Sequence, residues 1–444
     1  MYLAENYKEK WDKVINHPDL AEIKDPYRRD VTLRLLENQE AFLKEAAPTN
    51  ATGGNIDNWN PILMTLVRRA MPNMMAYDVC GVQPMSGPTG LVFAMKSRYG
   101  TQAGDEALYN EADTDWSSHE TDQTNPASPV HGGGTEHKPF TDTNNPFVQT
   151  GGGNTEEHAY GKGMTRAEGE ALGDAVTNRW SEMAFSIERT SVEAKTRALK
   201  AEYSMELAQD LKAIHGLDAE TELANILSTE ILNEINREVI RTIYEVAKRG
   251  SQANVSNAGV FDLDTDSNGR WSVEKFKGMM FNMERDAHLV AKSTKRGKAN
   301  FVICSSDVAS AMAMAGTLDY NPSLQNNMNV DDTQNTYVGN WGSYRVYVDP
   351  YWNDGAGQFN NQYYVVGYKG SSAYDAGVFY CPYVPLQMVR AIGEQTFQPK
   401  IGFKTRYGMI GNPFQPTGVD GQVRNHLDAN SNDYYRKSLV KNLM

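Results

Sequence analysis

The sequence is poor in cysteine, with Cys80, Cys304 and Cys381 the only three among 444 residues. So few cysteines exclude the disulfide framework that stabilises small secreted proteins. Each cysteine lies in an apolar run typical of a strand, and we therefore expect three buried thiols. Free thiols are in turn typical of a reducing cytoplasm.

Long apolar runs are also missing. No stretch approaches the roughly 18–20 consecutive apolar residues that a membrane-spanning helix requires. The first residues, MYLAENYKEKWDK, carry charges where a signal peptide has an apolar segment. These two absences predict a soluble protein that is made in the cytoplasm.

The chain has no excess of basic residues, since its net charge is −13. Residues 101–178 contain 14 acidic and 3 basic residues, a net charge of −11, so the rest of the chain is close to neutral. A basic stripe would be expected of a dedicated nucleic-acid-binding protein. A near-neutral body with one acidic segment instead favours a protein that packs against copies of itself.

Motifs that carry catalysis are absent from the sequence. We find no phosphate-binding Gly-rich loop and no Gly-x-Ser-x-Gly nucleophile motif. The letters His131-Gly132-Gly133-Gly134 resemble an oxyanion-hole loop, but they lack the partner motif. Zinc-binding spacing is not met by the histidines of the acidic segment, which are His119, His131, His137 and His158. We therefore predict no catalytic residue and no cofactor.

One segment resembles a calcium-binding loop. Asp264, Asp266 and Asn268 stand at its positions 1, 3 and 5, and Gly269 at position 6. Position 12, which should supply a bidentate carboxylate, is Lys275. The pattern favours a solvated turn over a metal site. If the turn did bind calcium, the chain could be a calcium-dependent extracellular binding module.

Apolar periodicity divides the chain into regions. Residues 1–45 show helical spacing and precede a polar, Gly-containing break, which indicates a separable arm. Between them and the acidic segment we predict a short helix at 62–70 and strands near 76–82 and 91–96. Residues 101–178 contain few apolar residues, which predicts an extended loop or a small irregular domain, and the alternating Phe185, Ile187 and Arg189 suggest a strand that leaves it.

A long helix is the clearest structural prediction. After a helix at 201–214 that Gly216 ends, Asp218 offers an N-cap, and apolar residues recur every three or four positions as far as Val246. A helix over 218–249 would be about 48 Å long at ~1.5 Å per residue, which indicates a rigid strut. The mixture of helices and short strands that follows predicts an α+β domain. Its elements are helices near 273–293 and 306–315 and strands near 301–304, 344–348, 363–368, 378–380, 386–391 and 400–407.

Several segments of the sequence resemble the major capsid proteins of T-even-like tailed phages. They are VRRAMPNMMAYDVCGVQPMSGPTGLVFAM at 67–95, the stretch from EAKTRALKAEYSMELAQDLKAIHG to ILNEINREV at 193–239, the stretch from VVGYKG to DAGVFYCPYVPL at 365–386, and FQPKIGFKTRYGMIGNPF at 397–414. The short segment LENQE at 36–40 extends the similarity into the arm. These blocks run in family order over most of the chain, whereas residues 101–178 do not align with the family's insertion domain.

The resemblance implies an α+β capsid fold of the HK97 type. It assigns residues 1–45 to an N-terminal arm or propeptide, 46–100 to the N-arm and the start of a peripheral domain, and 101–178 to an extended E-loop with an acidic insertion. Residues 179–250 would be the peripheral domain with its spine helix, 251–395 the axial domain, and 396–444 a return to the peripheral domain. The function implied is that of a shell subunit that forms hexameric capsomers around the genome.

The resemblance also implies processing and partners. A prohead protease would cut the arm after Glu45, before Ala46, with Glu37 as the second candidate position. The partners would be the pentameric vertex protein, an internal scaffold, the portal, and a chaperonin and decoration proteins. DNA would be enclosed without sequence-specific binding, in a virion capsid assembled in the host cytoplasm. The main alternative is the related vertex protein itself.

Overall fold

The structure, a computed structural model, describes the chain in segments. They are residues 10–11, 14–16, 23, 25–46, 74–104, 106–108, 112, 116–117, 166–173, 180–252, 254–267, 269, 271–316, 318–320, 336–352, 361–372, 374–393, 395, 397–413 and 427–443. The chain divides into two compact units, one of residues 1–92 and 190–444 and the other of residues 93–189. The predicted helix at 62–70 and most of the acidic segment, including its four histidines, lie outside the described residues.

The described residues form seven helices and fourteen strands of two or more residues. The helices are α1 (Pro26–Ala46), α2 (Ala76–Val79), α3 (Arg166–Ala171), α4 (Met205–His215), α5 (Ala219–Val246), α6 (Ser272–Thr294) and α7 (Ser306–Met314). The strands are β1 (Gly81–Val82), β2 (Thr89–Tyr99), β3 (Met183–Glu193), β4 (Lys195–Glu202), β5 (Ala247–Arg249), β6 (Val260–Asp262), β7 (Phe301–Ser305), β8 (Leu318–Tyr320), β9 (Thr336–Trp341), β10 (Tyr344–Asp349), β11 (Asn361–Gly367), β12 (Val378–Ile392), β13 (Pro399–Gly411) and β14 (Asn432–Lys441). This mixture confirms the predicted α+β class.

The larger unit contains a four-stranded sheet in the order β1-β12-β13-β4. Strand β13 pairs antiparallel with both neighbours, so Phe403 lies opposite Leu199 on one side and Met388 on the other. Helix α5 packs on this sheet. Its Val239 and Ile243 belong to the same hydrophobic core as Phe403, and all three are almost completely buried.

The larger unit also contains an eight-stranded sheet, in which β5-β14-β11-β7-β10-β9-β8 run side by side and β6 pairs with β14. All five residues of β7 are buried. Phe301 and Ile303 belong to the core that contains α5, whereas Val302 and Cys304 belong to a second core with α6 and α7. A strand covered on both faces reads as a continuous apolar run, which is what the sequence FVICS provides.

The smaller unit contains most of a two-stranded sheet of β2 and β3. At its end, the ring of Tyr99 packs against that of Trp116, with 5.1 Å between their centroids. The Trp116 carbonyl also accepts a hydrogen bond from the Ser181 hydroxyl. These contacts connect the outgoing and the returning chain near the beginning and end of the acidic segment.

The predicted strut is confirmed as α5, with 28 residues. The side chain of Asp218 accepts a hydrogen bond from the Glu220 amide, which is the predicted N-cap. The helix ends at Val246 rather than at residue 249, because Ala247–Arg249 pairs with β14 as β5. The pairing satisfies backbone groups that the sequence pattern assigned to the last helical turn.

Three other predictions need correction. The strand expected near 76–82 is in fact the helical turn α2 followed by β1. The side chains of Tyr77, Val79 and Cys80 all lie in the main core. The helix expected at 201–214 begins at Met205, because Ala201 and Glu202 pair with β13. The strands predicted at 378–380 and 386–391 form one strand, β12, whose register shifts between Pro382 and Gln387.

Among the described residues, no helix is both long and apolar enough to cross a membrane.

Candidate functional site: exposed interaction surfaces

The three cysteines are buried, as expected. Burial raises the pKa of each thiol to about 12, so all three remain protonated at neutral pH. A protonated thiol is a poor nucleophile and a poor metal ligand. Within the described part of the chain, no group of three or more His, Cys, Asp or Glu side chains is arranged to hold a metal ion.

The calcium-like turn uses its carboxylates for contacts within the protein. Asp264 Oδ1 lies 2.6 Å from Lys275 Nζ, so an ammonium group pairs with the carboxylate at loop position 1. Asp266 accepts hydrogen bonds from the amide and hydroxyl of Ser256 and from the Asp262 amide, at 2.8 to 3.0 Å. Partial burial opposes ionisation of Asp266, but these bonds outweigh it and lower the pKa of the carboxyl. Asn268 lies outside the described residues.

Both candidate cleavage positions lie on α1. The Glu37 carboxylate accepts a hydrogen bond from Trp11 Nε1 at 3.1 Å and lies 3.5 Å from Lys10 Nζ. Glu45 and Ala46 are the last two residues of the helix, and their side chains lie outside the described set. Each position therefore has helical backbone.

Helix α1 packs into the main core. Leu35 and Leu36 are fully buried there. The Asn38 side-chain amide donates to the carbonyls of Met85 and Tyr383, at 2.9 and 3.0 Å, and so holds the helix against β12. The arm that the sequence marks as separable is, in this state of the chain, an integral part of the larger unit.

The β2–β3 hairpin has an exposed apolar face, which we call the hairpin face. Its residues in the smaller unit are between 52% and 64% exposed, and they are Phe93, Met95, Met183, Phe185 and Ile187. The strand period of two places alternate residues on one side of the hairpin. Contiguous apolar side chains left in water are typical of a surface that another molecule covers.

The other side of the hairpin is polar and internally paired. Glu188 Oε1 lies 3.5 Å from Lys96 Nζ and 3.6 Å from Arg98 Nη2. Arg98 also donates to the Ser186 hydroxyl at 2.9 Å. The hairpin is therefore amphipathic, and its apolar side is the exposed one.

A second exposed apolar region lies in the larger unit. None of the eleven residues of α4 is buried, and Ile214 is 75% exposed. At the far end of the four-stranded sheet, Val389, Ile392 and Phe397 are also more than half exposed. A helix of this length is marginal in water without tertiary cover, so this region too has the character of a contact surface.

Within the larger unit, the strut α5 is fixed by ion pairs. Arg237 of α5 donates to Asp349, whose carboxylate is almost fully buried and also accepts a bond from the Tyr363 hydroxyl at 2.8 Å. Arg197 of β4 pairs with Glu234 and Glu238, two other residues of α5, at 2.8 and 2.6 Å. Helix α5 is thus attached to both sheets of the larger unit.

Reading the sequence residue by residue did not identify the hairpin face. The signal was present, because Leu91, Phe93 and Met95 alternate with other residues, as do Met183, Phe185 and Ile187. The two runs are separated by the acidic segment of the chain, and their pairing was not evident without the structure.

Comparisons with known proteins are consistent with surfaces that contact other protein copies. The profile of a family described as "Major capsid protein Gp23" matches residues 56–440. A major capsid protein of Serratia phage KSP90 is 40% identical over 93% of both chains. That of Salmonella phage ViI is 38% identical over 99% of both chains, and that of phage T4 is 35% identical over 88% of this chain and 84% of its own.

Two further comparisons are more distant. The capsid vertex protein of phage T4 is 26% identical over 54% of this chain and 55% of its own length. Among solved structures, "The capsid of Myoviridae Phage XM1" covers 83% of this chain and 92% of its own, with 9% identity and a TM-score of 0.39.

Proposed function

The chain belongs to the Gp23 family of major capsid proteins, and we propose that its copies form the hexameric capsomers of the phage head rather than the pentamers of its vertices. It is a structural subunit of a tailed-phage head shell and so part of the virion capsid. The observation that carries the choice of hexamers is the similarity itself. Identity to major capsid proteins reaches 40% over 93% of the chain, against 26% over 54% for a vertex protein.

The hairpin face is the contact that we assign to capsomer formation. Five apolar side chains on one side, with an internally paired polar side behind them, suit a strand pair that lies across the neighbouring subunit. Burial of such side chains contributes about 25 cal/mol for each Å² removed from water. Each contact is weak alone, but a closed shell sums many copies.

The division of the chain implied by the resemblance fits this role. Helix α5 would be the spine helix of an HK97-type peripheral domain, and the hairpin would begin and end the E-loop. The eight-stranded sheet with α6 and α7 would be mainly the axial domain. A strut attached to both sheets resists bending, while the hairpin adapts to neighbours in slightly different positions.

We also propose that the arm is removed after Glu45, with Glu37 as the second position. A protease requires an extended substrate, whereas both positions are helical here. Cleavage therefore requires α1 to unwind locally or to leave the core, where Leu35 and Leu36 are buried. The intact mass of the subunit from purified heads tests this proposal, because cleavage after Glu45 leaves a chain that begins at Ala46.

The further partners are those of a head-assembly pathway. We propose contacts with a pentameric vertex protein, an internal scaffold, a portal and a prohead protease, with a chaperonin assisting folding and decoration proteins binding outside. Assembly in the host cytoplasm, around DNA that is not read by sequence, belongs to the same proposal.

Electron microscopy of the purified chain tests the hexamer proposal. We expect six-fold rings or closed shells from the parent. Phe185→Asp should abolish both, because it places a charge in the hairpin face. Phe281→Asp is the matched control, since Phe281 is also exposed but lies on α6 in the larger unit. Five-fold rings would favour the vertex protein, and a monomer under all conditions would overturn the proposal.

A further inference from the structure

The four-stranded sheet is rich in Lys and Arg, although the chain as a whole is acidic. Its strands β4, β12 and β13 contain seven Lys and Arg residues but a single acid, Glu202. The chain as a whole has a net charge of −13. The bases come from two stretches of sequence about 200 residues apart, which the pairing of β4 with β13 brings together.

On the side of the sheet that faces α5, two of the three bases, Arg197 and Arg390, pair with acids of that helix. Arg197 pairs with Glu234 and Glu238, as described above. Arg390 Nη2 lies 2.5 Å from Glu220 Oε1. These bases are used for packing.

The other side differs. The register places Lys400 opposite Glu202, Gly402 opposite Lys200, and Lys404 opposite Ala198. Residues opposite one another share a face, as do residues two or four apart on one strand. Lys200, Lys400, Lys404 and Arg406 therefore lie on one face, and we call these four residues the basic strip.

Among the described residues, the ion pairs of the strip do not balance its charge. Glu202 is shared by Lys400 and Lys200, with distances of 3.0 and 3.1 Å. Among the described residues, neither Lys404 nor Arg406 forms an ion pair with a carboxylate. Arg406 lies over the ring of Tyr383 at 5.3 Å, and its buried Nε has no hydrogen-bond partner in the described part of the chain. The strip thus has four positive charges and one negative.

We propose that the basic strip binds the phosphate backbone of the DNA enclosed by the shell. The proposal rests on the proposed function, because that function supplies the polyanion. Lysine ammonium groups are point charges that suit phosphates without reading bases. Lys400 and Lys404 are four residues apart, or about 13 Å along a strand, which is comparable with the ~12 Å width of the major groove. Binding by one copy is weak, and the shell multiplies it.

The test is a titration of mixed-sequence double-stranded DNA with the full chain, followed by fluorescence anisotropy at several salt concentrations. Contact with two or three phosphates predicts a logarithmic salt slope of about −2 to −3, at ~0.9 per phosphate. The combined variant Lys200→Gln, Lys400→Gln and Lys404→Gln should lower the affinity at least tenfold and reduce the slope towards zero.

The matched control removes the same charge elsewhere. Lys212, Lys277 and Lys292 are exposed lysines on α4 and α6, and their combined change to Gln should alter the affinity less than threefold. Equal losses in both variants, or no binding by the parent, would overturn the proposal. So would a parent that binds the acidic segment, residues 101–178, in preference to DNA, since the strip would then contact a second copy. Electron microscopy of the same samples reports shell formation separately. Failure of the proposed function is therefore distinguishable from failure of DNA binding by the basic strip.

Discussion

Helix α5 and the β2–β3 hairpin are both amphipathic, but their apolar faces end in opposite environments. On α5, Ile231, Val239 and Ile243 are fully buried against the sheets of the larger unit. On the hairpin, Phe93, Phe185 and Ile187 are more than half exposed. An apolar face thus provides cohesion within the subunit in the helix, and a surface for other copies in the hairpin.

The two apolar faces differ in whether other parts of the same chain pack against them. The apolar side of α5 meets strands from both sheets, and its ends are fixed by Asp218 and by the pairing of β5 with β14. The two strands of the hairpin pair with each other, and among the described residues their apolar face in the smaller unit stays exposed. Stability should therefore depend on α5, and association should depend on the hairpin.

The largest expected effect is the loss of the ion pair that anchors α5. Asp349→Ala leaves Arg237 without its buried partner and Tyr363 without an acceptor. Breaking a buried pair in this way costs about 3–5 kcal/mol. Denaturant unfolding of the full chain measures it, with Asp210→Ala, a change at an exposed acid on α4, as the control. A loss below ~1 kcal/mol would show that the Arg237–Asp349 pair does not anchor α5.

A matched pair of isoleucine substitutions tests the comparison directly. Ile243 is 0% exposed on α5, and Ile187 is 63% exposed on the hairpin. Ile243→Ala should cost about 2–5 kcal/mol of unfolding free energy because it opens a cavity. Ile187→Ala should change stability by less than ~0.5 kcal/mol but lower the yield of capsomers. The result that contradicts the comparison is a similar stability loss in both variants, or unchanged assembly by Ile187→Ala.

The smallest expected effect is a dependence of stability on pH, which extends the comparison to charge. Asp286 of α6 is buried, and desolvation raises the pKa of its carboxyl, although bonds from the Ser251 amide and the Tyr364 hydroxyl oppose the shift. Because the folded pKa is then above the unfolded value of ~3.9, the folded chain binds the proton more tightly. The free energy of unfolding should rise as pH falls from the folded pKa to the unfolded one, by at most ~1.4 kcal/mol per pH unit.

Unfolding titrations of the parent and of Asp286→Asn measure this slope as their difference. Arg436 and Arg285 also act on Asp286 and favour its charged form. Their charges do not change in this range, so the contribution in the parent comes from the carboxyl. Parallel curves for the two proteins would mean that Asp286 titrates alike in the folded and unfolded chains.

The sequence predicted the elements whose signals are local. Asp218, the apolar period and Gly216 placed the start of α5 and the end of α4 correctly, because capping and periodicity depend on neighbours within one or two turns. Strands β7, β10, β11 and β13 were located within four residues of their bounds.

The errors lie where a distant strand competes with a local preference. Lys248 and Arg249 are good residues for a helix end, yet they pair with β14. Ala201 suits a helix, yet it pairs with Ile401. Strand β14, which binds both β5 and β11, was not predicted, although its sequence NDYYRKSLVK is rich in residues typical of strands.

The candidate surfaces show the same division. Each strand of the hairpin face was recognisable alone, from alternation, but not its partner. The basic strip had no sequence signal, because Lys200 and Lys404 stand about 200 residues apart along the chain. The calcium-like turn gave a local signal, and the structure shows its Asp264 paired with Lys275.

The sequence by itself determined the α+β class, the long helix, the buried cysteines and the family, since composition, periodicity and similar segments are properties of the linear chain. Only the tertiary structure decided which apolar face stays open and which bases share one side of a sheet. Both outcomes depend on strand pairs between residues that are more than 80 positions apart, and pairing at that distance is fixed by the packing of the whole unit.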